Sequence, residues 1–527
     1  MYEKLTELIA SENYNEALYE LQEEVLHIEE RTPLEAGKLC VLEATLWEVL
    51  NDSTAEFEAI RKGFIYDPQN YELYYMLSLY YRNENINRSY LCAEMAYFYC
   101  DDEADREVIL GDINALRKDP SMRVRDTSIV ILSYNDLEIM RDCIASVENS
   151  IPSEHLEIIV VDNASTEEGL KSFLHECEKN APCSFKLIEN SENLGFSKGC
   201  NIGAAAAGGD NDIFFLNNDA VLMPTSLFFL RMGLYDNRNV GACSALSNSA
   251  SLQEIPEDEI LSAWGENRPD IGKAKEGIDT AADEIPLPWY RRAGYKNAIE
   301  IFKTYARFKA VPERNAYLKC FRLTGFALLL SRDAIDAVAP DMKVFDEFFS
   351  PAYFEDDDLG IRIARAGFDQ YLCTNSLIYH NGGSGFMGNN ELMEISRNKF
   401  RDKWGFDIWG YSVPDEDVVN KVISFAKEEK RSLKIIDFSC GLGATDALLK
   451  ISLPDSFVAG VCRTPFEAGI AARIADEVAF GDMNTMRIPW KRHSFDVVII
   501  EKGAVNQGMI SECLCEGGIC IEQEVSE

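Results

Sequence analysis

Positive charge is scarce in this chain. Its 89 Asp and Glu outnumber 51 Lys and Arg, giving a formal net charge of −38 and a pI near 4.5. Such a surface repels polyanions, so nucleic acid and an anionic membrane are excluded as main partners. A phosphate-bearing ligand would need a metal or a local group of basic residues. Long apolar runs are also missing. No stretch reaches the ~18 residues of a membrane span, and the opening MYEKLTELIASENYNEAL lacks the apolar centre of a signal peptide. The fifteen cysteines are odd in number and follow no framework spacing, which points to a reducing, cytoplasmic setting. Cys513, Cys515 and Cys520 lie close together without a nearby His or fourth Cys, and read as small core residues rather than a zinc site. No G-x-G-x-x-G follows the first strand pattern, which argues against a dinucleotide held by its pyrophosphate.

What is present divides the 527 residues into three regions, in keeping with ~150 residues per domain. Residues 1–120 carry helical periodicity, as in YNEALYELQEEVLHIEE. The stretch from Asp67 to Cys100 sets a DP-x-N turn before large residues at helical spacing, with Ala93 and Ala96 in the next helix. It resembles a tetratricopeptide repeat. A groove for a protein partner and a helical cap or self-association arm are equally open readings.

Residues 121–412 alternate continuous apolar strands with helices: TSIVILSYN, EIIVVDNAS, FKLIEN and DIFFLNND, with amphipathic helices between. This pattern predicts a parallel sheet covered on both faces. Polar residues gather at the carboxyl ends of the strands, at 133–135, 162–165 and 217–219, the edge where open α/β sheets bind ligands. Asn217-Asn218-Asp219 offers hard oxygen ligands for Mg²⁺ or Mn²⁺, and is equally ordinary turn chemistry. Asp162 suits a base or ribose, or an Asx-turn capping a helix from about Glu167. In NLGFSKGCN, Gly195 and Gly199 permit close backbone approach, and Lys198 could meet a phosphate.

Four acids in a row, Glu355 to Asp358, follow Tyr353 and Phe354. Helix-start acids are favoured by the macrodipole, and Asp358 with Arg362 forms an i,i+4 pair. That explains one or two of the four. A carboxylate in an aromatic-walled pocket can act as a general base. His380, one of five histidines, ends another strand beside a glycine loop.

Eight segments in order, SIVILSYN, EIIVVDNAST, NLGFSKGCNIG, FFLNNDAVL, LTGFALLLSRDAID, FDEFFSPAYFEDDDLGIRIARAGF, YHNGGSG and RNKFRDKWG, make residues 127 to about 405 resemble an inverting family-two glycosyltransferase of the glycosyltransferase-A fold. The resemblance is to the soluble, non-processive members, since Q-x-x-R-W is absent. It implies a nucleotide-sugar donor, UDP- or dTDP-linked, and a hydroxyl acceptor on a glycan or protein. Ser133, Tyr134 and Asp162 would hold the base and ribose. Asn193, Gly195, Lys198, Asn217 and Asn218 would line the rest of the nucleotide-sugar site. Asp219 and His380 would hold Mn²⁺ or Mg²⁺, with an Asn at the first position of the D-x-D equivalent lowering metal affinity. Asp356 would be the base, with Glu355 as its substitute. The segment 248–319, basic and aromatic in an acidic chain, is expected either on the acceptor side or as a structural insertion.

Residues 413–527 start a second α/β pattern. IIDFSCGLG, GDMNTM and FDVVII resemble an S-adenosylmethionine-dependent methyltransferase through Asp437, Gly441, Gly443 and Asp482. Cys462 stands where an acid would bind the ribose, and the pattern stops near a fifth strand, GGICIEQ. A degenerate or truncated domain that does not bind S-adenosylmethionine is the expectation. The fold class expected is therefore multidomain: helical repeats, a central α/β glycosyltransferase-A domain and a partial Rossmann-like domain. The rival readings are a non-catalytic scaffold with a dead transferase core, a glycoside hydrolase using the paired carboxylates, and a bifunctional glycosyltransferase/methyltransferase.

Overall fold

The computed structural model describes residues 2–265, 269, 271, 287–382 and 390–523. Helices fill the chain as far as Leu116. The DP-x-N turn works as its residues dictate. Asp67 ends the helix Ser53–Tyr66, and Asn70 caps Tyr71–Tyr81 by accepting from the amides of Glu72 and Leu73 at 3.0 and 3.3 Å. Helix Ile86–Tyr99 then pairs with Tyr71–Tyr81, as Ser53–Tyr66 does with Pro33–Val49.

This helical region is docked on the sheet. Tyr74 and Phe64 meet Phe228 and Phe229 of helix Ser226–Leu234, with ring centroids 5.3 and 6.5 Å apart. Buried Glu94 pairs with buried Arg231, and Asn85 Nδ2 donates to the carbonyls of Tyr235 and Asp236 at 2.9 Å. Residues from Ala44 onward share one apolar core with the sheet. At this contact the helices form a cap.

The first sheet comprises β1 (Thr127–Ser133), β2 (Leu156–Asp162), β3 (Ser184–Glu189), β4 (Asp212–Asn217), β5 (Ala220–Leu222), β6 (Val240–Leu246), β7 (Tyr317–Cys320), β8 (Ala327–Leu330) and β9 (Asp369–His380). Its order is β3-β2-β1-β4-β8-β6-β9-β5, with β7 on β9. The expected parallel arrangement holds for β3 to β4. Beyond β4 the sheet is mixed. β8 runs antiparallel to β4 and β6, and β5 and β7 run antiparallel to β9. An apolar run reports burial, not direction, and β8 is as fully buried as β2. β3 is an edge strand whose residues alternate between exposed and half-buried, which FKLIEN did not show.

The segment 248–319 is partly core. Its helix Tyr295–Lys309 packs Ala298, Ile301, Phe302 and Tyr305 with Leu377 and Tyr379 of β9. Part of SAWGENRPD, and GGSG after Gly382, lie outside the described residues.

The second sheet comprises β10 (Lys434–Asp437), β11 (Phe457–Cys462), β12 (Glu477–Phe480), β13 (Phe495–Glu501) and β14 (Leu514–Gln523). It is parallel throughout, in the order β12-β11-β10-β13-β14. It meets the first through an apolar cluster that includes Phe354, Phe400, Ile408, Leu442 and Ile470. Among the described residues no helix is long and apolar enough to cross a membrane.

Candidate active site

Register brings three strand ends to one edge. Ser133 of β1 lies opposite Asp162 of β2, and Leu132 lies opposite Asn217 of β4. Ser133 and Asp162 are wholly buried; Ser133 Oγ has no hydrogen-bond partner, and Asp162 Oδ2 has none but lies 3.8 Å from Lys171 Nζ. The other oxygen, Asp162 Oδ1, accepts from Ser165 N at 3.1 Å, an Asx-turn. The helix behind it begins at Leu170 with Gly169 as its cap, later than Glu167, because the turn at 163–165 takes up the aspartate. Tyr134 is exposed at the rim.

Two asparagines knit this edge together. Asn135, at φ 60°, accepts from the amides of Thr166 and Glu167 at 2.9 and 3.1 Å, while its carbonyl accepts from Asn218 Nδ2 at 3.3 Å. Asn163 donates to Asn193 Oδ1 at 2.8 Å and accepts from Leu194 N at 3.0 Å. Asn193 Oδ1 also takes the Gly195 amide at 2.9 Å, so this predicted ligand-side residue is engaged in shaping its own turn. Gly195 has φ 79°, and a Cβ there would stand 2.9 Å from the Pro351 carbonyl oxygen. A Cβ at Gly199 would stand 2.4 Å from Leu132 Cδ1. Both glycines are thus required by packing against protein. Lys198 is exposed on the helix Phe196–Ala206.

Asn218 and Asp219 form the two-residue turn between β4 and β5. Asp219 is buried, and its Oδ1 lies 3.2 Å from His380 Nε2. Pairing of β5 with β9 sets Ala220 opposite His380, and Asn217 Nδ2 is 3.3 Å from the same nitrogen. His380 Nδ1 lies 2.6 Å from the Ser249 carbonyl, which fixes the proton on Nδ1. Asn248 clamps the His380 backbone on both sides, at 2.9 Å each. Burial pulls the imidazole pKa down, but the Asp219 carboxylate and the bond to Ser249 outweigh it, and the net shift is upward. With Nδ1 already protonated, Nε2 can face a carboxylate only by carrying a proton itself or by sharing a cation with it. A buried carboxylate and an imidazole of fixed tautomer therefore fit a divalent ion whose other ligands are phosphates and water. Among the described residues no group of three or more His, Cys, Asp or Glu is arranged to hold a metal alone.

The four acids separate into distinct environments at the start of helix Glu355–Arg365. Asp358 is fully buried and accepts from Arg362 Nε at 2.8 Å, Trp404 Nε1 at 3.0 Å and Lys403 Nζ at 2.5 Å. Asp357 takes a two-pronged contact from Arg322, at 2.5 and 3.3 Å. Burial pushes its carboxyl up to about 7 against the pull of that guanidinium. Glu355 is buried with Oε2 unpartnered, and burial together with Asp356 and Asp357 holds it well above the ordinary carboxyl range. Only Asp356 is partly open. Its Oδ2 accepts from Gly325 N at 2.9 Å and its Oδ1 from Asp357 N at 2.8 Å. Tyr353 and Phe354 both sit at positive φ, 73° and 68°, conformations costly for aromatic residues. Phe354 is held there by stacking on Trp409, 5.7 Å between centroids.

The acids and the Asp219–His380 pair are linked through two consecutive residues. Gly325 binds Asp356, while the Phe326 carbonyl accepts from Asn217 N at 2.8 Å and its ring lies 5.0 Å from that of His380. Gly325, Phe326, Asn135, Asn163 and Asn248 were given no individual role in the sequence, although Gly325 and Phe326 fall in the segment LTGFALLLSRDAID. Asn135 and Asn163 fall within the polar strand ends that were singled out, whereas nothing local marks Asn248.

Residues 128–272 match the model of Glycosyl transferase family 2. The first part of the central region is therefore similar to family 2 glycosyltransferases. The Bacillus subtilis (strain 168) protein "Uncharacterized glycosyltransferase YfnE" is 25% identical over 249 residues, 46% of this chain and 60% of that protein. The chain thus spans less than two thirds of the curated relative it matches. Among solved structures, GalNAc-T7 with UDP, GalNAc and Mn²⁺ shares 16% identity at a TM-score of 0.38, over 56% of this chain and 50% of its own. The S. aureus TarS 1-349 complex with UDP shares 14% at 0.31, over 53% and 66%. Overlaps this low carry no weight for the chemistry of the site.

In the second sheet, Asp437 accepts from Ser439 N at 2.7 Å and faces buried Asp446. Cys462 Sγ lies 3.8 Å from Cys440 Sγ, and Asp482 is exposed. Gly441, at φ 54°, has Tyr411 against it, and Leu442 is buried in the cluster between the sheets.

Proposed function

We propose that the protein transfers a sugar, with inversion, from a nucleoside-diphosphate donor to a hydroxyl of a glycan or protein acceptor. The observation that carries this reading is the shared rim: Asp219 with His380, and Asp356, tied together through Gly325–Phe326 beside buried Ser133 Oγ and Asp162 Oδ2, neither of which has a hydrogen-bond partner. Buried polar atoms without partners are costly and are satisfied by a ligand. Ser133 and Asp162 would take the base and ribose, with Tyr134 beside them at the rim. Lys198, Asn217 and Asn218 would border the diphosphate and sugar, while Asn193 and Gly195 hold the loop in place.

Asp219 and His380 would hold a divalent cation, Mn²⁺ or Mg²⁺, which when bound neutralises charge on the departing diphosphate. Asp356 accepts the proton of the acceptor hydroxyl as that oxygen bonds to the anomeric carbon and the bond to the diphosphate breaks. The Gly325 amide holds Asp356 in place for this step. Glu355, kept neutral by burial, supports the helix start and is the less suitable base. The donor nucleotide, UDP or dTDP, is part of the proposal.

The second sheet is assigned a supporting role, because the turn at Gly441–Leu442 is packed against Tyr411 and the aromatic cluster behind Phe354. A bifunctional enzyme would instead bind S-adenosylmethionine there, and micromolar binding by calorimetry would establish it.

The deciding experiment is a thermal-shift panel of UDP, dTDP, GDP and CMP with and without Mn²⁺, on wild type and Asp219→Ala. A Mn²⁺-dependent rise with one nucleotide, lost in the variant, supports the reading. No rise with any nucleotide turns the assignment to a scaffold with an inactive core.

A further inference from the structure

At the opposite edge of the first sheet, a cavity of about 370 Å³ opens beside the first residues of β4 and β6. Its lining includes Arg123, Arg125 and Arg238, with Asp212, Asp333 and Tyr235. Three arginines around one small cavity stand out in a chain of net charge −38. Both lining carboxylates are already engaged. Asp333 pairs with Arg125 at 2.9 Å, while Asp212 accepts from the Tyr235 hydroxyl and from Arg332 N. Among the described residues no carboxylate lies within ion-pair distance of Arg123 or Arg238, so neither guanidinium has a direct ionic partner, and three arginines face two carboxyls in the lining. Burial and the nearby Arg238 together lower the Arg123 pKa, outweighing the opposite pull of Tyr235 and Asp333.

The backbone here is fixed. Arg123 N donates to Asn87 Oδ1 of the helical region at 2.7 Å, and Arg125 N donates to Tyr235 Oη at 2.8 Å. The arginines are therefore presented from a braced linker, with Arg238 on the loop facing it.

We propose that this cavity binds a small phosphate-bearing molecule, independently of the donor site. Two guanidinium groups without a direct ionic partner attract a phosphate dianion, and their planar forks match its oxygens. A half-open volume of this size holds one small ligand, and the chain's overall charge repels polyanions. A bound phosphate would join Arg123 on the linker to Arg238 on the loop before β6, stabilising the seating of the helical region.

The test is calorimetric titration with inorganic phosphate and, separately, a hexose 1-phosphate, at constant ionic strength with a chloride control and without Mn²⁺. Wild type and Asp219→Asn should bind saturably and alike. Arg123→Gln and Arg238→Gln should each weaken binding about tenfold or more, the effect of losing a charged hydrogen bond. Arg238 is exposed, so that variant decides the matter if Arg123→Gln does not fold. Equal binding of both probes marks the phosphate group alone as the ligand, and tighter binding of the ester marks a sugar phosphate. Absence of saturable binding by wild type, or undiminished binding by the arginine variants, overturns the proposal, as does loss of binding in Asp219→Asn alone. None of these outcomes depends on the transferase reading.

Discussion

The amide of Gly325 donates to Asp356 Oδ2 at 2.9 Å. Its neighbour Phe326 contacts both Asn217 and His380, so the proposed base and the proposed metal ligands are set by one short stretch of backbone. Asp358 and Asp357 are neutralised by Arg362, Lys403 and Arg322, and Glu355 is buried, which leaves Asp356 as the one acid of the four open to a substrate.

Asp356→Asn should accordingly lower transfer about 10²- to 10⁴-fold, the range of a lost general base, while nucleotide binding is unchanged. Glu355→Gln, which keeps shape and replaces an already neutral carboxyl, should cost far less. Initial rates and nucleotide affinity measured on both variants check this. A larger loss in Glu355→Gln would reassign the base.

Asp219→Asn should remove the Mn²⁺-dependent part of nucleotide binding. Asn248→Ala should weaken it less, because Asn248 only clamps the His380 backbone through two 2.9 Å bonds. Nucleotide titrations with and without EDTA measure both. Equal Mn²⁺ dependence in wild type and Asp219→Asn would remove Asp219 from the metal site.

The Arg322–Asp357 pair joins the β7–β8 loop to the acidic helix with little solvent around it. Arg322→Leu leaves a carboxylate buried without its partner and should cost about 3–5 kcal/mol, whereas Arg322→Leu with Asp357→Leu should recover much of the loss. Urea unfolding of the two singles and the double gives the coupling directly. Additive losses would mean that the pair does not act as a unit.

The parallel half of the first sheet, the second sheet's strands and the polar strand ends were all readable from apolar runs and their terminating residues. The antiparallel β8 and β5 were not, because an apolar segment carries no record of direction. Asp219 and His380 were separately visible, but their 3.2 Å approach depends on the pairing of β5 with β9, 160 residues apart in the chain. Of the four acids, the Asp358–Arg362 pair was readable from its spacing, while the surroundings of the others were hidden for the same reason. Arg322, Lys403 and Trp404 reach them from other elements, and only those contacts distinguish Asp356 from its neighbours. Gly195 and Gly199 were read as openings for a ligand, while their close contacts are with Pro351 and Leu132.

Asp437 and Asp446 face each other wholly buried in the second sheet. Burial raises Asp437 to about 6, and burial with the charge of Asp437 raises Asp446 well above its usual range. The folded chain therefore binds more protons at this pair than the unfolded chain does, from the ordinary carboxyl value of about 4 upward. By linkage, the pair's contribution to stability falls as pH rises through that window. Asp446→Asn supplies a neutral donor to Asp437 at every pH and removes the need for the shared proton. The melting temperature of this variant minus that of wild type should thus increase steadily from pH 4 to about 7, and calorimetric scans across that range read it. A difference that stays flat or declines would show that the two carboxyls do not share a proton.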